Sequence, residues 1–272
     1  MMFSRTDSVR ALRGALLSSL LLAPNAFAAD GAPASLTTSS EEAHWGYDQT
    51  LSPEHWGELP GDAVCAQGEA QSPIALVTAG AAHPHLDVPS FHYATSRVRM
   101  LNTGHTVQFT YDSGSTVRVG ASEYKLAQFH FHTPSEHTKD GVEYPLELHL
   151  VHTDANGAPV LVVGVLIEEG AVNAALFTAF RHLPRHMGEE SVPAGALLNA
   201  SALLPRDKAF FQYAGSLTTP PCTQGLQWYV MKQPIQMSDA QIAAFERLPH
   251  LNPNNRPLQP LNGRTVSAHS GR

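Results

Sequence analysis

The sequence predicts a mainly β, single-domain protein whose strands pair mostly antiparallel. Three observations carry this expectation. Short runs rich in β-branched and aromatic residues recur through the middle of the chain, divided by turn-forming residues. Helix-period patterns are few and short. No linker composition and no internal repeat interrupts the chain from His44 to Arg264. A length of 272 residues lies within reach of one large β-rich domain.

The elements follow in order. Runs 97–101, 106–111 and 115–119 read as strands, with the turn signal Asp112-Ser113-Gly114-Ser115 between the last two. Residues 124–132 and 146–152 alternate apolar side chains with polar or imidazole ones, as half-buried strands do. Residues 159–168 form a nearly unbroken apolar run, which suits a strand buried on both faces. Residues 171–182 and 238–247 are the helix candidates; in the second, Ser238 is placed as N-cap with Gln241 three residues on, a capping box. Many strands with few helices imply an antiparallel β architecture.

The composition narrows the function classes. Hydrophobic residues make up 43% and charged residues 15%, which is a globular balance. Arg5, Arg10 and Arg13, the apolar run 15–22 and Ala26-Phe27-Ala28 predict a signal peptide over 1–28, cut after Ala28. That run is shorter than the roughly 20 residues a bilayer span requires. Residues 29–42 read as a flexible leader and 43–272 as the folded domain. Losing three arginines and Asp7 with the signal moves the formal charge from −7 to −9. No basic cluster remains for nucleic acid, and no second apolar run anchors the mature chain in a membrane. A homodimer is compatible with these features. The expected compartment is the bacterial periplasm. Cys65 and Cys222 are the only cysteines, and in an exported chain they favour one disulfide over two free thiols.

Fifteen histidines must be sorted by spacing. In Gln128-Phe129-His130-Phe131-His132 a strand turns both imidazoles to one face and both phenylalanines to the other. A pair of this kind is often incidental. A third imidazole strengthens it: His149, in Glu147-Leu148-His149-Leu150-Val151-His152, follows a connection with Pro134, Gly141 and Pro145 that suits a turn between adjacent antiparallel strands. Three neutral imidazoles leave one tetrahedral position open, the pattern of a catalytic zinc (Zn2+) site. Gln128 and Glu147 each stand two residues before a histidine, on the same face, where a hydrogen bond fixes the ring's tautomer.

Several blocks then resemble the signatures of the α-carbonic anhydrase family, in its secreted bacterial form. They are Trp45-Gly46-Tyr47, Gln71-Ser72-Pro73-Ile74, Gly104-His105, the 128–132 block with Glu136-His137, Glu147-Leu148-His149, Ser216-Leu217-Thr218-Thr219-Pro220-Pro221, Asn254-Asn255-Arg256-Pro257 and Gln259-Pro260-Leu261. The likeness runs in order from about His44 to Arg264.

The resemblance implies a large twisted sheet of about ten strands with a few short peripheral helices. It implies zinc held by His130, His132 and His149, with Gln128, Glu147 and Asn254 behind them. The implied reaction is reversible hydration of carbon dioxide to bicarbonate and a proton by zinc-bound hydroxide, with ester hydrolysis as a side activity. Thr218 matches the hydroxyl that orients the hydroxide, and Glu136 the carboxylate that accepts from that hydroxyl. His105 matches the proton shuttle, and Tyr47, Thr103 and Gln108 the water-ordering positions; asparagine is frequent where Thr103 and Gln108 stand. Val151, Val162, Leu217, Leu226 and Trp228 match the apolar wall for carbon dioxide, and Thr219 a bicarbonate contact. Cys65 and Cys222 match the disulfide of secreted members.

Overall fold

A computed structural model describes residues 45–82 and 84–271; the expected signal peptide, the leader and positions 43–44 lie outside them. Its main feature is one eleven-stranded sheet. The strands are β1 (Ser90–His92), β2 (Met100–Asn102), β3 (Val107–Thr110), β4 (Thr116–Val119), β5 (Ser122–His132) and β6 (Leu146–Thr153). They continue with β7 (Pro159–Glu169), β8 (Glu190–Ser191), β9 (Phe210–Ser216), β10 (Gln224–Met237) and β11 (Ser267–His269). The spatial order is β8-β2-β3-β5-β6-β7-β10-β9-β11, with β4 also on β5 and β1 on β4. All pairs are antiparallel except β7 with β10, so the sheet is mixed. The described helices are α1 (Val64–Gln67), α2 (Phe177–Phe180) and α3 (Asp239–Glu246).

The hairpin of β5 and β6 positions the site. Its register sets His130 opposite His149, Phe131 opposite Leu148 and His132 opposite Glu147. Phe129 and Phe131 are buried in the main core, where Phe129 stacks on Phe109 at 4.4 Å. Burial of those rings fixes the face of β5, because a slip by one residue would exchange phenylalanines for imidazoles. In β7 every residue from Leu161 to Ile167 is buried, as the apolar run predicts, and β6 and β10 flank it.

Two expectations need correction. The run 97–101 is not one strand. Thr95–Arg97 pairs with Leu197–Asn199 in a separate small sheet, while Met100–Asn102 joins the large one. Asp112 holds the break: Oδ2 accepts from the Arg97 backbone N–H at 2.9 Å and Oδ1 from the Arg99 guanidinium at 2.6 Å. These bonds lower its carboxyl to about 2. The helix expected over 171–182 shrinks to the single turn of α2. The Asn173 N–H donates to Gln241 Oε1 at 2.8 Å and the Ala171 N–H to Gln236 Oε1 at 3.2 Å, so this segment is tied to β10 and α3 instead of to itself.

Helix α3 starts at the predicted capping box, with Ser238 and Gln241 bonding reciprocally. Strand β10 contains Pro234, which breaks any alternating pattern. Pairing with β7 skips from Val165–Met231 to Ile167–Ile235, and the proline sits in that bulge.

Candidate metal centre

His130, His132 and His149 converge. Their ring centroids lie 5.1 Å (130 to 132), 5.4 Å (130 to 149) and 4.6 Å (132 to 149) apart. Each ring has one nitrogen committed elsewhere. His130 Nδ1 bonds Gln128 Oε1 at 2.8 Å, His132 Nδ1 bonds the Asn254 carbonyl at 2.7 Å, and His149 Nε2 bonds Glu147 Oε1 at 2.9 Å. All three partners are acceptors, so the committed nitrogens carry the protons and the opposite nitrogens carry lone pairs. One nitrogen from each ring falls within 4.8 Å of the others. His132 Nε2 is buried without a hydrogen-bond partner, which a buried polar atom does not tolerate unless something else satisfies it. Burial, reinforced by the neighbouring imidazoles, holds His130 well below the usual histidine range, and burial lowers His132. Neutral rings are what a metal requires. The donor set therefore fits zinc, with a fourth position left for solvent or substrate. His137, Glu147 and His149 are also close enough to share an ion, but their hydrogen bonds already satisfy one another.

Behind the imidazoles the polar atoms of Glu147 and Asn254 are fully used. Glu147 takes His149 and His137 on Oε1, at 2.9 and 2.7 Å, and the backbone N–H groups of Glu136 and His137 on Oε2, at 3.0 and 2.8 Å. Burial alone would raise its carboxyl, but the two imidazoles outweigh this and hold it well below the usual range. Asn254 docks the closing segment onto β5: its Oδ1 accepts from Thr133 N–H at 2.7 Å, and its Nδ2 donates to Phe131 and His105 carbonyls.

Sequence reasoning missed four members of this layer: His137, Tyr213, Ser72 and Arg256. His137 Nε2 lies 2.7 Å from the Tyr213 hydroxyl, which lies 2.8 Å from Ser72 Oγ. Arg256 is a buried guanidinium spread over Gln71 Oε1, the Ser72 carbonyl and the Cys65 carbonyl. Burial brings it down to about 10. His137, Ser72 and Arg256 stand inside motif blocks, and that was the available signal; Tyr213 had none.

Thr218 and Thr219 lie in the loop from β9 to β10, which the Cys65–Cys222 disulfide closes across 157 residues. Within it Cys222 N–H bonds the Thr219 carbonyl at 2.8 Å and Leu217 N–H the Thr223 carbonyl at 2.9 Å. Thr218 and Glu136 are both buried. The direct bond expected between them is not made: Oε1 accepts from Arg256 N–H at 2.9 Å, and Oε2 is buried without a partner. Oε2 is the acceptor left for a hydroxyl.

At the other side, His105 stacks on Trp45, centroids 3.6 Å apart and planes 9° apart. Both line a cavity of about 750 Å³ with Tyr47, Arg185, His186 and His250. The Tyr47 hydroxyl is buried without a partner, and burial followed by Glu136 raises it well above the usual range. Gln108 pairs with His130 across β3 and β5. Thr103 departs from its expected role. Its hydroxyl donates to the Thr106 carbonyl and accepts from the His105 and Thr106 N–H groups. That is all a hydroxyl can make, so it shapes the His105 turn and has no capacity left to order water.

Val162, Leu226 and Trp228 belong to one buried apolar cluster, with Leu217 packed against it. Trp228 brings this cluster to the imidazoles, 4.8 Å from the His149 ring. Val151 is buried beside it, opposite Val162.

Three inward lone pairs, beside an apolar wall and an unsatisfied carboxylate oxygen, make a centre that could hold a metal ion, the arrangement of a metalloenzyme site. Comparison with known proteins agrees. The family model for eukaryotic-type carbonic anhydrases matches residues 51–270. A carbonic anhydrase of Pectobacterium atrosepticum is 39% identical over 231 residues, 84% of this chain and 92% of that one. The α-carbonic anhydrase of Thermovibrio ammonificans, solved with sulfanilamide, superposes with a TM-score of 0.79 at 39% identity, over 83% of this chain and 99% of that chain. A dioscorin solved with ascorbate shares the scaffold at a TM-score of 0.77 and 28% identity, covering 84% and 99%. This chain belongs to the α-carbonic anhydrase family, whose reaction is the reversible hydration of carbon dioxide.

Proposed function

We propose that this protein is an exported zinc enzyme that interconverts carbon dioxide and bicarbonate with His130, His132 and His149 as metal ligands. The observation that carries the reading is the convergence of three imidazole nitrogens whose opposite nitrogens are all bound to acceptors. When bound there, zinc would supply the Lewis acidity that lowers the pKa of water far enough for it to ionise near neutrality.

The chain's own groups do the rest. On loading, the Thr218 hydroxyl turns to the free Glu136 Oε2, so its oxygen can only accept from the attacking water, which aims that water's lone pair at the substrate. Val151, Val162, Leu217, Leu226 and Trp228 hold uncharged carbon dioxide, and Thr219 contacts the bicarbonate product. His105 takes the released proton, since imidazole exchanges protons near neutrality, and passes it to solvent in the adjoining cavity. Tyr47 and Gln108 line the route. The signal peptide over 1–28 sends the chain to the periplasm, where a disulfide persists; Cys65–Cys222 supports this. Among the described residues no helix is long and apolar enough to cross a membrane.

The test is zinc content and stopped-flow carbon dioxide hydration on the mature protein, with and without chelator. One zinc per chain and chelator-sensitive hydration are expected. In His130→Ala both are lost together; full zinc occupancy with the parent rate in that variant would overturn the ligand assignment.

A further inference from the structure

Gly164 lies in the interior of β7, directly opposite His149 on β6 and Val230 on β10. Its neighbours in the strand are all apolar and buried. A glycine here weakens a strand through entropy and lost packing. Its φ is outside the left-handed region, so the backbone does not require glycine. Space does. A Cβ on Gly164 would lie 3.0 Å from Glu147 Oε1 and 3.3 and 3.5 Å from the two γ-methyls of Val230.

Glu147 Oε1 is the oxygen that receives both His149 and His137, while Oε2 is fixed by two backbone N–H groups. The carboxylate is fully buried, and its four bonds approach both oxygens. It cannot yield a few tenths of an ångström without lengthening one of them, and hydrogen bonds weaken as they stretch and bend.

We propose that Gly164 is a positioning residue for the metal centre: its missing side chain is the notch that seats Glu147 against His149, and so aims the open nitrogen of His149. The sheet gives up strand stability at this point for the register of one hydrogen bond. The inference rests on the assignment of His149 as a zinc ligand.

The experiment is Gly164→Ala, read first by zinc affinity in chelator competition and then by the pH profile of kcat/KM. Zinc affinity is expected to fall by at least about tenfold, the usual scale for disturbing a ligand's hydrogen-bond partner. Thermal stability of the zinc-free protein is expected to fall as well, since the added methyl meets Glu147 and Val230 whether or not zinc is bound. Adding Val230→Ala lets the strand move away from Glu147, and most of the lost affinity is expected to return; Val230→Ala alone is the control. Affinity within twofold of the parent in Gly164→Ala overturns the proposal, and so does a loss that Val230→Ala leaves unchanged. If Gly164→Ala does not fold, Glu147→Asp is added to withdraw the carboxylate by one methylene. Recovered folding then supports the clash, and continued failure overturns it. A parent protein that binds no zinc refutes the ligand assignment itself, which keeps the two failures apart.

Discussion

Glu136 and Arg256 meet through a single hydrogen bond, from the Arg256 backbone N–H to Oε1 at 2.9 Å. This bond leaves Oε2 as an acceptor with nothing on it. A bare carboxylate oxygen offers Thr218 an acceptor and no donor. In Glu136→Gln the amide can present a donor to Thr218, and Thr218 is then free to donate toward the nucleophile. We expect kcat/KM for carbon dioxide to fall about a hundredfold or more, with zinc content unchanged, measured by stopped flow and metal analysis.

His105 is held by its stack on Trp45 and by Asn254, which donates to its carbonyl. His105→Ala is expected to lower kcat while leaving kcat/KM near the parent value, because only proton removal is slowed. Added imidazole should restore turnover. An unchanged kcat in dilute buffer, or a decrease that imidazole does not relieve, refutes the shuttle.

His152 is buried beside Tyr93, 2.8 Å from the phenol oxygen, and burial pushes it down to about 3. In the unfolded chain the same group titrates near about 6.5. Between these values the unfolded state takes up a proton that the folded state refuses. Its contribution is therefore complete above about pH 6.5 and is lost as pH falls toward about 3, by up to about 1.4 kcal/mol per pH unit. His152→Gln keeps a polar partner for Tyr93 and cannot titrate. Denaturant unfolding at several pH values should show a shallower acid limb by that amount. His130 and His132 titrate in both proteins, so the difference isolates His152.

The disulfide closes a loop of 157 residues. Cys65→Ser with Cys222→Ser is expected to lower the unfolding free energy by up to about 5 kcal/mol in the chain-entropy account, read by denaturant titration. Cys222 also ends the segment that carries Thr218. Thus kcat/KM should fall in this variant while zinc affinity, which depends on the hairpin, stays close to the parent value.

The hairpin was legible because two kinds of constraint coincide in it. Alternation sorts Phe129 and Phe131 from His130 and His132, and the turn residues fix which strand comes next. Strand β10 was not legible, because Pro234 and its bulge interrupt the period. The helix expected over 171–182 failed for the opposite reason. Its local pattern was adequate, but Asn173 and Ala171 found better partners on Gln241 and Gln236. Thr103 shows the limit of matching positions: the residue stands where expected, and only the bonds around it reveal that its hydroxyl is spent. Tyr213 and the Gly164 notch left no sequence pattern at all, since Tyr213 acts through partners far away in the chain and Gly164 through the side chain it lacks.

All three converging imidazoles come from β5 and β6, neighbours joined by one short connection. Bringing them together costs only local loop closure, whose entropy grows slowly with length but is smallest for near neighbours. Thr218, Asn254 and Arg256 come from the far half of the chain, beyond the parallel crossover from β7 to β10 or within its loops. Contacts of such long range form slowly. The topology thus separates assembly of the imidazole cluster from completion of the surrounding chamber: the first needs a hairpin, the second needs the whole sheet.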